Sequence, residues 1–438
     1  MSIPRGAEAA SSIDLSKRDL TLDLARVFAV LLVVVIHLLE VGVGTGPHGL
    51  SISRPLEHQP WFNALTWVFQ IMPLFFVVGG FASLTAWRSL VRRGGGPADY
   101  VTSRVLRLAQ PAFPLFVFYV VVVGAATLIG VDPKLLGPVV LGAGSPLWFL
   151  AAYGLCQAVV PFAVHWHLRA PKRTLLVLLL GAIIVDAARY STGNNAVGLL
   201  NLFFVWVLIQ QFGFWYADGW FDRRSWWQLV LVALASWATL FPLTIWGPYS
   251  PDMLTNLNPP TVPLIALGLS QACVLRLLRP VLGRLMQTRG ARAAVFLIGS
   301  RLMTIYLWHL PIIIILAGVA LLIPGASPEP GSSTWWWSRI PIYALVLALL
   351  FVLSLAVGRW EQPRKVGQTP PAWAVAVAAA LTIVPPTLII QYFLGLELAI
   401  VGAVCFGVAI LMLGRWPRAA TEPGAVGAAP SASAAPSA

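Results

Sequence analysis

The sequence predicts an all-α fold: a polytopic helical bundle integral to a membrane, with about twelve spans. Three observations predict it. Hydrophobic residues make up 58% of the 438 residues and charged residues only 10%, outside the range of soluble globular domains. The mean hydropathy is +0.81. Apolar runs of about 20 residues recur along the chain, each long enough to cross a bilayer as a helix, and the basic residues fall between them.

In chain order the expected spans lie near residues 20–43, 61–87, 108–130, 146–168, 173–190 and 197–217, followed by 227–246, 261–282, 293–323, 338–359, 372–394 and 397–414. The polar start, ending in Lys17 and Arg18, leads into a run too long for a signal-peptide core, with no small-residue cleavage site after it, so the first span is expected to be retained. Alternating sides along these spans leaves only Arg54, Lys134, Arg189 and Arg339 on one side. All the other Lys and Arg fall on the opposite side, except Arg301, which falls inside the ninth span. By the positive-inside rule both termini are expected in the cytoplasm, and a missed span would have scrambled the bias. Trp61, Trp148, Trp246 and Trp335 to Trp337 fall where the outer interface is expected, and Trp220, Trp360, Trp373 and Trp416 near the inner one, as aromatic belts.

The formal charge of +13 would suit a nucleic-acid partner, but a nucleic-acid binder gathers its basic residues on one face of an ordinary core, whereas here they lie between apolar runs. Cys156, Cys273 and Cys405 all lie within apolar runs, with no CxxC and no His at ligand spacing. Neither a disulfide framework nor a metal site is indicated. Residues after Arg418, rich in Ala, Ser, Pro and Gly, are expected to be disordered. No internal repeat is evident, which weighs against an inverted-repeat transporter.

The first span, LDLARVFAVLLVVVIHLLEVG, carries Asp23, Arg26, His37 and Glu40. A charged group near a membrane centre costs roughly 2.5–3.5 kcal/mol even on the lenient insertion scale. Eleven residues at 100° each bring Arg26 and His37 onto one helix face about 16 Å apart along the axis. Asp19 and Asp23 share that sector, giving a polar stripe that must face protein or water. Asp19, Asp23 and Arg26 sit close enough to the surface for Arg to snorkel and for Asp to suit a helix start. His37 is more informative: Glu40, three residues on, can reach the imidazole and orient it as a base.

Arg104 and Arg107 lie three apart on one helix face, with Arg92, Arg93 and a triple glycine upstream. This is one way to build a site for a phosphorylated ligand, and positive-inside topology alone would also place arginines there. Gly79 and Gly80 before Phe81 allow close helix approach. The ninth span, SRLMTIYLWHLPI, holds Arg301, Trp308 and His309 before Pro311. Arg301 there needs a carboxylate or an anionic ligand as partner, and His309 reads either as a core hydrogen bonder or as a site residue. His165 and His167, two apart, cannot face each other and are set aside.

Arg26, ten residues, then His37; VGGF in the second span; RVLR opening the third; then PLWFL and YLWHLPI in that order: this pattern over roughly residues 18–360 resembles acyltransferase family 3, the OafA-like membrane O-acyltransferases. The resemblance implies a family core of about ten spans and transfer of an acyl group, commonly acetyl, from cytoplasmic acyl-coenzyme A to a hydroxyl of a glycan, glycolipid or secondary metabolite. His37 matches the essential histidine, Arg26 its motif partner, and Arg104 and Arg107 the Arg pair, a contact for coenzyme A phosphates. Gly80 and Phe81 match the end of a Ser-Gly-Phe motif in which Gly79 here replaces the Ser. Trp148 and Trp308 belong to the tryptophan-bearing motifs. The chain then divides into a cytoplasmic segment 1–18, an acyltransferase-3-like transmembrane domain 19–360, two accessory spans within 361–414, and a cytoplasmic tail 415–438.

Acyl transfer to an alcohol needs a general base, oxyanion stabilisation and a seat for the donor's phosphates. The expectation is therefore that His37, oriented by Glu40, acts as base or transient acyl acceptor. Arg104, Arg107, Arg92 and Arg93 are expected to hold acyl-coenzyme A, with its pantetheine arm running up the polar stripe. A proton-coupled transporter also uses intramembrane Asp, Arg, His and Glu and is the alternative. A non-catalytic glycolipid-handling protein is the third class.

Overall fold

The computed structural model describes residues 19–46, 49–362 and 369–414. The expected N-terminal segment 1–18 and the tail 415–438 lie outside the described residues. The helices run in the order α1 Leu20–Glu40, α2 Phe62–Phe69, α3 Met72–Arg92, α4 Pro97–Leu128, α5 Pro133–Gly144, α6 Trp148–Ala158, α7 Val160–Arg169, α8 Pro171–Thr192 and α9 Asn195–Gly198. They continue as α10 Asn201–Ala217, α11 Trp226–Ile245, α12 Pro263–Leu285, α13 Arg289–Gly299, α14 Leu302–Leu321, α15 Ser333–Val357, α16 Ala372–Tyr392 and α17 Leu396–Gly414. Among the described residues, a hairpin of β1 Gly42–Gly46 and β2 Gly49–Ser53, pairing Gly42 with Ser53 and Gly46 with Gly49, departs from the helical pattern.

Among the described residues, 11 segments are long and apolar enough to cross a membrane, and the pair Gly142–Ala158 and Val160–Arg169, bent by 53°, makes a twelfth if taken as one span. The protein is thus a multi-pass membrane protein. Local chemistry sets the ends. Asp19 caps α1, its Oδ1 accepting from Thr21 N at 3.1 Å, and Ser332 caps α15 through Trp335 N at 3.2 Å. Pro97, Pro171 and Pro263 open α4, α8 and α12, where no backbone donor is needed.

The expected single span at 293–323 is two helices. The chain leaves α13 at Ser300, and Arg301, at φ −126° and ψ 15°, is the residue before α14. Arg301 therefore sits at a helix break rather than inside a span, where its charge has room among loop groups. The expected span 61–87 is likewise broken, at Gln70 and Ile71 between α2 and α3.

α10 is the central helix, packed on by α3, α6, α7, α8 and α12, with Val205, Trp206 and Ile209 fully buried. α3 crosses α10 in close contact. A methyl group on Gly80 would overlap the Gln210 carbonyl, and one on Gly213 would overlap backbone of α3, so both positions require glycine for the helices to touch. α1 packs against α3, α12, α13, α14 and α15. α16 and α17 pack on α4 and α6, where Phe406 meets Phe116 with ring centroids 4.8 Å apart. α11 and α15 leave most apolar side chains exposed, as helices facing lipid do. Cys156 and Cys273 are buried and Cys405 half-buried, all unpaired.

Candidate functional site

The N-terminal end of α1 lies at the Arg-rich end of the bundle. Asp23 stands 3.9 Å from Arg26, and Asp19 pairs with Arg279 at 3.1 Å. Arg107, on α4, is accessible to solvent yet lies within electrostatic range of Arg104, Tyr153, Arg26 and Glu361. Arg104 lies over the Tyr100 ring at 4.9 Å, and its buried Nε has no hydrogen-bond partner. Glu361, in the 3₁₀ turn Gly358–Glu361 after α15, accepts from Thr304 N at 2.7 Å and so caps α14. Arg301 lies in electrostatic range of Glu361, and its guanidinium rests on Gly358, where a larger residue would displace it. Arg26, Arg104, Arg107 and Arg301 thus converge against Asp23 and Glu361, leaving positive charge in excess, a seat suited to an anion. Arg92 and Arg93 are not in this group: they are exposed at the end of α3, with Arg93 donating to Ser89 Oγ at 2.8 Å.

At the far end of α1, His37 Nδ1 lies 3.2 Å from Glu40 Oε2, with about a fifth of each side chain exposed. The His309 ring faces His37 across the α1–α14 contact with centroids 5.2 Å apart. His309 is fully buried, its Nδ1 2.6 Å from the Tyr306 carbonyl and its Nε2 without a partner. A carbonyl can only accept, so Nδ1 of His309 carries the proton and Nε2 presents a lone pair. Above the pair, Arg54 donates to Glu57 at 2.8 Å and lies in electrostatic range of Glu40.

The expected polar stripe is two polar clusters rather than one band. On the face joining Arg26 to His37 stand Val30 and Val33, since residues 26, 30, 33 and 37 share that face of the helix. A small cavity of about 10 Å³ lies on this line, bordered by Ala29, Val30, Val33, Met72, Phe149 and Tyr306. Tyr153, Phe149, Tyr306, His309 and His37 form a column of rings beside it, with successive centroid separations of 5.1, 4.6, 5.8 and 5.2 Å. The column links the Arg107 end to the histidine pair.

The remaining sequence-predicted residues pack rather than converge here. Trp148 stacks on Trp206 at 5.5 Å, and Trp308 meets Phe118 at 5.1 Å. Phe81 meets Tyr216 edge-on at 6.0 Å. His167, set aside in the sequence, is buried between Gln211 and Asp218, each at 2.9 Å, and Asp218 also accepts from Arg88 at 2.6 Å. Partial burial opposes ionisation of Asp218, but the hydrogen bonds from His167 and Arg88 outweigh it and hold the carboxyl below its ordinary value of 3.8. Sequence reading also missed Glu361, Tyr153 and Tyr306. Tyr306, three residues before His309 on one helix, carried a readable signal; Glu361 and Tyr153 meet the site through long-range folding alone. Among the described residues no group of three His, Cys, Asp or Glu side chains could hold a metal ion.

The acyltransferase-domain family, acyltransferase 3, matches residues 19–359, which takes in both clusters on α1 and ends before α16. Neither a curated protein nor a solved structure matches the chain. With more than three-quarters of its length matched, the chain belongs to the acyltransferase 3 family and is a membrane acyltransferase.

Proposed function

We propose that the protein transfers an acyl group, acetyl in the simplest case, from acyl-coenzyme A to a hydroxyl of a glycan, glycolipid or other small-molecule acceptor. The observation that carries this reading is the convergence of Arg26, Arg104, Arg107 and Arg301 at one end of α1, with the His37–Glu40 pair at the other. The Arg-rich end faces the cytoplasm, where acyl-coenzyme A is made, and both termini lie on that side. The guanidinium groups hold the donor's phosphates as charge-assisted partners. The pantetheine arm then crosses the Val30–Val33 stretch, widening the small cavity beside the ring column, and brings the thioester to His37.

There His37 Nε2 takes the proton of the acceptor hydroxyl as the oxygen attacks the thioester carbon. Collapse of the intermediate breaks the carbon–sulfur bond, and the leaving thiolate takes the proton back from the imidazolium. Glu40 holds the His37 ring through Nδ1 and stabilises the imidazolium between the two transfers. The free Nε2 of His309 accepts a hydrogen bond from a water or from a second hydroxyl of the acceptor beside the reacting one, which removes the penalty of a buried, unpaired nitrogen.

The proton-coupled transporter is disfavoured by the family membership and by the apolar Val30–Val33 interval, which breaks a continuous proton path along α1. Steady-state kinetics of Arg107→Ala test the donor seat. A guanidinium bond to phosphate is worth enough to raise the KM for acyl-coenzyme A roughly 10- to 100-fold, with kcat nearly held. An unchanged KM would remove the arginine cluster from the donor site.

A further inference from the structure

A cavity of about 260 Å³ lies between α1, α14 and α15, beyond the histidine pair and beneath the hairpin. Its walls are mostly apolar, with Leu38 and Val41 from α1, Ile313, Ala317 and Ala320 from α14 and Leu345 from α15, and Ser327 the polar exception besides Arg339. Leu38 follows His37 directly. Ile313, Ala317 and Ala320 continue, turn by turn, the face of α14 that carries His309. Into this apolar space one cation is set. Arg339 lines the cavity, folded over the Trp335 ring at 4.4 Å, with its Nε 3.3 Å from the Trp335 carbonyl and its Nη2 donating to Ser338 Oγ at 3.0 Å. Among the described residues no carboxylate forms an ion pair with it.

Arg339 is half-buried at the edge of this apolar cavity with no counter-ion among the described residues, and it has donors to spare once Trp335 and Ser338 are served. We propose that this cavity binds a single-chain lipid phosphate, the apolar chain lying between α14 and α15 and the phosphate on Arg339. The charge calls for an anion, and the planar fork of Arg suits a phosphate. The apolar wall calls for a chain, and a cavity of about 260 Å³ takes part of one lipid chain and is far too small for a two-chain lipid. The mostly exposed α15 gives a lateral way in from the bilayer. As a binding site the cavity stands alone. Its catalytic meaning rests on the reading of His37 above: a phosphate at Arg339 and a chain along Leu38 place the head group of a membrane-anchored acceptor at the end of α1, within reach of His37.

The test is saturable binding of radiolabelled decyl phosphate to the full chain in phosphatidylcholine nanodiscs, with decanol, inorganic phosphate and phosphatidylglycerol as competitors. Unlabelled decyl phosphate is expected to displace the label, and the other three to do so at least about 10-fold more weakly, since each lacks the charge, the chain or the single-chain form. Arg339→Gln is expected to weaken binding about 10-fold or more, Arg339→Lys to recover part of it, and Ala320→Trp, which fills the cavity without touching the cation, to abolish it. Should Arg339→Gln fail to elute as a single species, Ala320→Trp decides. Equal binding by wild type and these variants would overturn the proposal. Displacement by phosphatidylglycerol as effective as by decyl phosphate would make the cavity a seat for bulk lipid and overturn it as well. His37→Ala should leave decyl phosphate binding intact while losing thioester turnover; a wild-type protein that binds decyl phosphate but turns over no thioester would sink the acyl-transfer reading and leave the lipid site standing.

Discussion

His37 and His309 come from helices 272 residues apart in sequence, and each commits Nδ1 to an oxygen, leaving Nε2 for the reaction space. The chemistry of the pair depends on what holds each ring. For His37 it is the Glu40 carboxylate, which fixes the ring and stabilises the imidazolium formed in each turnover. Glu40→Gln retains an oxygen that can accept from Nδ1 but loses the negative charge. Loss of this charged support is expected to lower kcat about 10- to 100-fold with KM for acyl-coenzyme A nearly unchanged, as measured by steady-state turnover. A rise in KM alone would place Glu40 in binding instead. At this scale the sequence was most readable where partners share a helix. A spacing of three on α1 announces the His37–Glu40 contact, and the same spacing on α14 joins His309 to Tyr306. The pairing of His37 with His309 arises from packing of α1 on α14, which no local spacing encodes, and the cap that Glu361 places on α14 arises from a turn 57 residues away.

Among the elements, breaks rather than spans were hard to read. Hydropathy places a long run at 293–323, but it is blind to the chain leaving the helix at Ser300, because apolar residues flank the break on both sides, Val295 to Ile298 before it and Leu302, Met303 and Ile305 after it. The break matters: it turns Arg301 from a charge within a span into a member of the arginine cluster, beside Gly358 and facing Glu361. A similar hidden junction ties α3, α7 and α10. Asp218, just past α10, accepts from Arg88 on α3 and pairs with His167 on α7. Because Asp218 is held below its ordinary value, its contribution to stability is fully present above that value, 3.8, and is lost as pH falls through the lower folded-state value. Asp218→Asn should therefore lower the thermal midpoint at neutral pH, and the gap to wild type should close as the pH is taken below 3.8. A gap that stayed constant with pH would show that the carboxylate charge contributes nothing at this junction. His167 escaped the sequence reading because its partners lie 44 and 51 residues away on another helix and the loop after it.

For the whole molecule, the architecture was legible because membrane spans impose a strong and simple pattern: long apolar runs with basic residues between them. The site was legible in its two poles, Arg26 with Arg104 and Arg107 at one end and His37 with Glu40 at the other, and illegible in what joins them. The aromatic column from Tyr153 to His309 and the apolar interval at Val30 and Val33 depend on how α1, α6 and α14 meet. In this protein a donor bound at the arginine end is expected to be brought to the histidine end for chemistry. The most direct measurement is binding and thioester turnover of acetyl-coenzyme A by the purified protein in nanodiscs, wild type beside His37→Ala. Both proteins are expected to bind the donor with similar affinity, with turnover at least about 100-fold lower in the variant, the loss that follows removal of a general base. Equal turnover by the two, or no binding of acyl-coenzyme A by wild type, would contradict this reading.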